Sequence, residues 1–247
     1  MYQEYLPHPS LAQYIEVYWM SNGFVESEMT QRILPDGCVD IIISLGENKK
    51  SEMKLFTPYI VGTMTTFLDV EYMGDVRMLG IRFCPGGIAA LTPTPIYEFT
   101  NTRIDILSFD SILDEYFYSK MNDLISIQDF LTHLNCYFYQ KFLVGLEIDE
   151  RINYAISLIK QENGNLPISF ISSQTCLSER QFERRFKSAI GISAKMFSRI
   201  IRFNHTRHYL KSTTDNLTET ALSCGYTDHS HLIRDFKQLS GALPIDR

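Results

Sequence analysis

The chain has 247 residues, of which 45% are hydrophobic and 21% charged, with a formal net charge of −6. This composition is typical of a folded globular protein and argues against disordered, collagen-like and repeat-array classes. No apolar run approaches the ~18–20 residues of a membrane-spanning helix, and the first residues lack the pattern of a secretory signal. Five cysteines without a Cys-x-x-Cys pair argue against a disulfide framework or zinc ribbon, so we expect reduced thiols and a cytoplasmic protein.

The net charge is unevenly distributed along the chain. Residues 1–150 contain 9 Lys/Arg against 21 Asp/Glu, a balance of −12, whereas residues 151–247 contain 14 against 8, a balance of +6. The basic part is therefore a candidate for binding a polyanion, although the average charge alone points away from nucleic acid.

The first hundred residues show the pattern of β-strands. Turn signals such as Pro35-Asp36-Gly37 and Cys84-Pro-Gly-Gly87 separate short aromatic and β-branched runs. Because these runs are short and regularly punctuated, we expect an antiparallel sandwich or barrel-like domain. The predicted strands are Tyr14–Met20, Asp40–Leu45, Tyr59–Val70 and Val76–Phe83.

From about Ser108 the apolar spacing becomes helical. Apolar residues at three- and four-residue steps from Leu124 to Phe138 predict a helix that continues to about Phe142. We expect this helix to pack on the sheet, and the alternative is that it also pairs with its copy in a dimer. The acidic part ends near Val144–Glu147, which predicts two domains, 1–145 and 146–247.

The basic part contains one pattern twice, shifted by 49 to 50 residues. In each copy a small residue precedes a turn residue, Cys176 or Gly225, by four positions, and an Arg-x-Phe-Lys…Gly string follows. A small residue lets two helices cross closely, and glycine can adopt the positive φ of the turn. Ser178 and the pair Thr227–Asp228 are good N-caps for the second helix of each copy.

The second helix of each copy is predicted to be amphipathic. At 100° per residue, Phe182 and Phe186 face the core, while Arg180 and Arg184 point outward. Likewise, Ser230 and Arg234 point away from Leu232. Each copy therefore has the form of a recognition helix for the major groove of DNA. A continuous helical pattern over Ser193–Lys211 would join the two copies across roughly 28 Å.

Residues 150–247 resemble the DNA-binding domain of the AraC/XylS family of bacterial transcription regulators. The repeated Arg-x-Phe-Lys…Gly string, the segment Gly225-Tyr-Thr-Asp-His-Ser-His-Leu232 and the linking helix with Arg202 carry this resemblance. It implies two helix-turn-helix units joined by a long helix, so the predicted class is α+β, with the β domain first and an all-α domain second. The sequence departs from the family pattern at Ser172 and Cys176 in the first unit and at Thr206 on the linking helix. The segment Ile168–Gln174 is a weak helix former, which suggests a less stable first unit.

Functional residues follow from this resemblance by position. The base-reading residues are expected to be Arg180, Glu183, Arg184, His229, Ser230, His231 and Arg234. Phosphate contacts are expected from Arg185, Lys187, Arg199 and Lys237. Glu183 could instead pair with Lys187 on its own helix, and Arg202 could instead form a structural ion pair. His229 and His231 diverge by about 200° on a helix, so we predict no metal site.

The first domain resembles an uncharacterised N-terminal domain found on some AraC-type regulators. Tyr18, Trp19, Asp36, Asp40 and Arg82 are candidates for an effector pocket. The alternative is that the acids and Arg82 form a buried ion pair without a ligand role. This half has only His8 and His133, too few for a metal-dependent barrel enzyme, so we expect neither cofactor nor catalysis.

The sequence thus predicts a cytoplasmic bacterial transcription factor that binds promoter DNA. Its binding would help or hinder RNA polymerase and would be biased by a small-molecule effector or by homodimerisation. We expect no membrane partner. The competing hypothesis is a ligand-sensing or protein-interaction module with little DNA binding.

Overall fold

The N-terminal half of the protein is built on one antiparallel sheet. The computed structural model describes residues 2–106, 112–114, 116–117 and 127–244. Its strands are Tyr2–Tyr5 (β1), Ile15–Ile33 (β2), Val39–Ser44 (β3), Pro58–Val61 (β4), Leu68–Phe83 (β5) and Arg103–Asp105 (β6). They pair in the order β1-β2-β5-β3-β4-β6, which confirms the antiparallel β prediction.

The long pair β2–β5 forms the centre of this sheet. Tyr18 lies opposite Ile81 near one end and Arg32 opposite Asp69 near the other, with a register shift between Val25 and Met29. The predicted strand Tyr59–Val70 is divided in two, because residues 62–67 leave the sheet between β4 and β5. These loop residues turn towards the C-terminal half of the chain.

One helix covers a face of the sheet. This helix, α1, runs from Ile127 to Leu143, close to the prediction, although Leu124 lies outside the described residues. Leu134 and Phe138 are fully buried, and the Phe138 ring packs edge-on against Phe83 with a centroid distance of 5.8 Å. The helix therefore packs on the sheet as expected, and its pairing with a second copy stays a prediction.

The C-terminal half is all helical, which confirms two helix-turn-helix units joined by a long helix. Apolar residues from Ile152 to Leu239 form a second core, separate from the core of the sheet and α1. The helices are Glu150–Gln161 (α2), Ile168–Gln174 (α3), Glu179–Ile190 (α4), Ala194–Ser212 (α5), Leu217–Ser223 (α6) and His229–Ser240 (α7). The units are α3–α4 and α6–α7, and α5 connects them.

The turns of the two units follow the same plan with different residues. Gly225 has a φ of +80°, and Cys176 has a φ of +54° in the first unit. A non-glycine residue in this left-handed region is strained, because its Cβ crowds the following carbonyl. The first unit therefore carries a local cost that the second avoids.

Among the described helices, none combines the length and the apolar character needed to cross a bilayer.

Candidate nucleic-acid interface

Helix α4 presents a basic face opposite an apolar one. Ser178 caps its N-terminus by accepting from the Gln181 amide, in a reciprocal capping box. Phe182 and Phe186 are fully buried, whereas Arg180 and Arg184 are exposed. The first turns of α4 thus leave two guanidinium groups free to meet an anionic partner.

Helix α7 repeats this arrangement in the second unit. The Asp228 side chain caps its N-terminus by accepting from the His231 amide at 2.8 Å, and Leu232 is fully buried. Ser230 and Arg234 are exposed on the opposite side, as is His229. His231 is half-buried, and its ring packs edge-on against Tyr226 with a centroid distance of 5.1 Å, so it is less available than its neighbours.

Both recognition helices pack on α5. The Phe186 ring lies 5.7 Å from Phe197, and the Phe236 ring lies 4.9 Å from Phe203. At 1.5 Å per residue the 19 residues of α5 extend roughly 28 Å, comparable to the ~34–36 Å between successive major-groove faces of B-DNA. Helix α5 thus connects the two units through packed aromatic contacts.

Of the residues predicted to contact phosphate, Lys237 is exposed on α7, whereas Arg185 contacts the N-cap of α2 and Lys187 contacts the N-terminal domain. The Arg185 guanidinium lies 3.2 Å from the Asp149 carboxylate. The Lys187 amine lies over the Tyr97 ring, 5.5 Å from its centroid. Glu183, its alternative partner on the same helix, is half-buried, and that pairing stays a prediction. Both cations are still partly exposed, and their phosphate role stays a prediction.

Arg199 forms an ion pair inside the domain. Its Nη2 atom donates to Asp235 Oδ1 at 2.7 Å and to Gln238 Oε1 at 2.7 Å. The side chain of Asp235 is only 4% exposed, so this pair fastens α7 to α5. Its guanidinium thus has a structural partner in the buried carboxylate, and its predicted phosphate contact stays a prediction.

Arg202, for which the sequence suggested an ion pair, makes a different contact. Its guanidinium carbon lies 4.9 Å from the centroid of the Tyr226 ring, and Nη1 donates to the Gly225 carbonyl at 3.3 Å. It thereby braces the turn of the second unit.

Within the described ranges, no group of three or more His, Cys, Asp or Glu side chains is arranged to hold a metal ion.

The N-terminal domain forms hydrogen bonds with the C-terminal end of α4. The Thr63 hydroxyl donates to the Ile190 carbonyl at 2.5 Å, and the Thr100 hydroxyl donates to the Gly191 carbonyl at 2.7 Å. Gly191 ends the helix with a φ of +96°, and a Cβ there would lie within about 3 Å of both hydroxyls. The glycine therefore permits the close approach of the two domains.

The same domain forms hydrogen bonds with the C-terminal end of α7. The Thr66 hydroxyl donates to the Gln238 carbonyl at 2.8 Å, and Arg32 Nη1 donates to the Ser240 carbonyl at 3.0 Å. Arg32 is held by a bidentate pair with Asp69, at 2.7 Å for each bond. Gly241 is the C-cap here. Each repeated glycine of the Arg-x-Phe-Lys…Gly string thus lies against the N-terminal domain, which the repeat alone did not reveal.

Four of the five candidate effector residues meet on one face of the sheet. The Trp19 indole donates to Asp40 Oδ1 at 2.8 Å, and Arg82 Nε lies 3.3 Å from Asp40 and 3.5 Å from Asp36. The indole lies across Gly80, where a Cβ would overlap it. Tyr18, the fifth candidate, lies on the opposite face, because neighbouring residues of a strand point to opposite sides, and its hydroxyl donates to Asn135.

This cluster holds more acid than base. Burial raises the pKa of Asp40 from 3.8 to about 6, although the Arg82 guanidinium acts in the opposite direction. Burial also raises the pKa of the Cys38 thiol well above its usual value. The cluster therefore contains a partly buried ion pair of Asp40 and Arg82, in which the pKa of Asp40 is raised.

Two family models match the chain. Residues 3–105 match a family described as a domain of unknown function (DUF6597), and residues 171–246 match a family described as a helix-turn-helix domain.

The most similar relatives include regulators that match through the C-terminal half. The HTH-type transcriptional regulator MtrA of Neisseria gonorrhoeae is 32% identical over 91 residues, covering 36% of this chain and 30% of that protein. The HTH-type transcriptional activator RhaS of Escherichia fergusonii is 27% identical over 97 residues, covering 39% and 35%. The chain therefore spans about a third of the length of these relatives.

Among solved structures, a probable AraC family regulator from Rhodopseudomonas palustris is similar at 26% identity with a TM-score of 0.35, covering 39% of this chain and 92% of that one.

Proposed function

We propose that the protein is a sequence-specific DNA-binding regulator of transcription whose C-terminal domain, which matches a helix-turn-helix family over residues 171–246, is of the AraC/XylS type. The observation that carries the proposal is the pair of exposed basic faces on α4 and α7. Both helices place their apolar backs on α5, whose length is comparable to the spacing of successive major-groove faces.

Base reading is assigned to the side chains on these faces. Arginine is the commonest specific partner of guanine, through O6 and N7. Arg184 and Arg234 are exposed and are proposed to read one base each. Arg180, Glu183, His229, Ser230 and His231 are proposed to complete the base-reading set, and Lys237, Lys187 and Arg185 to contact phosphates.

The first experiment is selection of bound sequences from random duplex DNA by the full chain. We expect one enriched motif with two half-sites. Arg184→Ala and Arg234→Ala should each relax the preference at one base pair, at a cost of ~1–3 kcal/mol for the preferred base. Arg103→Ala, on the N-terminal sheet, is the matched control and should leave the motif unchanged.

Two outcomes would count against this assignment. A uniform loss of affinity for every sequence would place the two arginines on phosphates rather than bases. Retention of no sequence over bulk DNA at moderate salt, with binding absent even at low salt, would favour the competing module that acts through protein partners.

The N-terminal domain, residues 1–145, is proposed to be regulatory and non-catalytic. Its separate core supports a boundary between residues 145 and 146. Its hydrogen bonds to α4 and α7 give it a direct route to the DNA-binding half. Through these contacts an effector or a homodimer would bias promoter binding and thereby help or hinder RNA polymerase.

We propose the cluster of Trp19, Asp36, Asp40 and Arg82 as the effector site. Trp19 is the single tryptophan of the chain, so its fluorescence reports on this cluster alone. A ligand that engages Asp40 or Arg82 should change the emission of the full chain, and Arg82→Met should abolish that response. A ligand that alters DNA binding without changing Trp19 emission would place the effector elsewhere.

A further inference from the structure

The two recognition helices are held at equivalent points by one surface of the N-terminal domain. Ile190 and Ser240 occupy matching positions of the repeat, each just before the glycine that ends its helix. The Ile190 carbonyl accepts from Thr63, and the Ser240 carbonyl accepts from Arg32. The loop 62–67 reaches both units, because Thr66 also donates to the end of α7.

From these contacts we infer that Thr66 and Arg32 on one side, and Thr63 and Thr100 on the other, are positioning residues that set the spacing between the two DNA half-sites. The inference rests on the proposed DNA binding. Within the C-terminal domain α4 and α7 are joined through α5, and the N-terminal domain adds a second, independent connection between them. Two helices that are connected both through α5 and through the N-terminal domain are less free to change their separation than two helices connected through α5 alone.

The contacts suit a positioning role because of where they lie. They engage the C-terminal ends of α4 and α7, whereas a recognition helix meets base edges mainly through its N-terminal residues. The exposed Arg180 and Arg184 lie in the first turns of α4, and Ser230 and Arg234 lie in the first turns of α7. The N-terminal domain can therefore fix the helices without covering the side chains that read bases.

The N-terminal domain also contacts α5, the helix that joins the two units. The Asn204 amide donates to the Pro35 carbonyl at 2.9 Å, and a Cβ on Gly37 would overlap the Phe197 ring. The N-terminal domain therefore touches both recognition helices and the helix between them. Inserting one base pair between half-sites moves one by 3.4 Å and turns it by roughly 35°, a change that such a three-point contact resists.

The test uses the full chain and duplexes that carry the two selected half-sites at the selected spacing or with one base pair inserted or removed. The unsubstituted chain should bind the selected spacing best. Thr66→Val keeps the side-chain shape but removes the donor, and adding Arg32→Met removes both contacts to α7. We expect the preference for the selected spacing to fall roughly five- to tenfold in the double variant, while affinity for a single half-site stays unchanged.

Two further variants separate positioning from general stability. Thr65→Val is the matched control, since Thr65 lies in the same loop but bonds to Asn101 of its own domain; it should keep the original spacing profile. Thr66→Ser keeps the hydroxyl and should therefore also keep the original spacing profile.

An unchanged spacing profile in the double variant, or an equal loss at every spacing and at the single half-site, would overturn the inference and leave the proposed function standing. Failure of the unsubstituted chain to select any sequence would overturn both.

Discussion

Removing Arg199 should destabilise the DNA-binding half by leaving a charge buried. The Asp235 carboxylate is 4% exposed, and Arg199, at 24% exposed, is its ion-pair partner. Breaking a buried pair by removing one partner costs about 3–5 kcal/mol. Because Arg199 is partly exposed, we expect Arg199→Met to fall near the lower end, ~3 kcal/mol, which for a chain of this size lowers Tm by roughly 6–12 °C.

A second variant also removes the Asp235 carboxylate, which Arg199→Met leaves buried without its partner. Replacing a buried ion pair by apolar residues of similar volume is close to neutral, so Arg199→Met combined with Asp235→Leu should recover stability to within ~1 kcal/mol of the original chain. Lys195→Met, an exposed cation of the same helix, should cost less than ~0.5 kcal/mol. Urea unfolding followed by circular dichroism measures all three.

The same variants decide whether Arg199 contacts DNA. A residue that neutralises one phosphate contributes about 0.9 to the slope of log affinity against log salt. The double variant, once its stability is recovered, should keep the slope of the original chain. A double variant as unstable as Arg199→Met would refute the buried-charge reasoning, and a slope reduced by about 0.9 would restore the phosphate role predicted from the sequence.

Three further predictions address the rest of the chain. Because the pKa of Asp40 is raised to about 6 from 3.8, its contribution to stability is greatest below pH 4 and is lost as pH rises through 6, by ~3 kcal/mol in all. The difference in unfolding free energy between the original chain and Asp40→Asn should show this slope, and Trp19 emission should titrate near pH 6 only in the original chain. A difference in unfolding free energy that is flat from pH 4 to 7 would contradict this prediction. Cys176→Gly should raise stability by ~0.5–1 kcal/mol, because glycine adopts the φ of +54° without strain, and a loss on thermal unfolding would count against it. Deleting residues 1–145 removes 18 Asp/Glu and 9 Lys/Arg, so affinity for arbitrary DNA at low salt should rise on the order of tenfold. Unchanged affinity in a filter-binding assay would show that the acidic half does not weaken nonspecific DNA binding.

The helical half could be predicted closely from sequence because its signals are local. The apolar periodicity predicts a linking helix over Ser193–Lys211, and the helix lies at Ala194–Ser212. Ser178 and Asp228 cap the helices as their chemistry predicts, since a cap depends only on residues within one turn. The apolar faces of α4 and α7 follow from helical periodicity in the same way.

The candidate sites were harder to predict where they depend on distant partners. Arg199 and Asp235 are 36 residues apart, and charge alone could not distinguish a phosphate contact from a buried pair. The contacts of Thr63 and Thr66 carry no pattern at all, because a hydroxyl that donates to a main-chain carbonyl leaves no matching residue in the sequence. In contrast, the placement of Tyr18 and Trp19 in one pocket conflicts with strand alternation, which puts neighbouring residues of a strand on opposite faces.

The contacts that join the domains have a consequence for how this protein can diverge. The N-terminal domain binds main-chain carbonyls of α4 and α7, at Ile190, Gly191, Gln238 and Ser240. Main-chain oxygens are the same whatever side chains the helices carry, so the outward residues can mutate towards a new operator without weakening the junction. Recognition and coupling can therefore evolve separately on the same two helices, with the terminal glycines as the shared constraint.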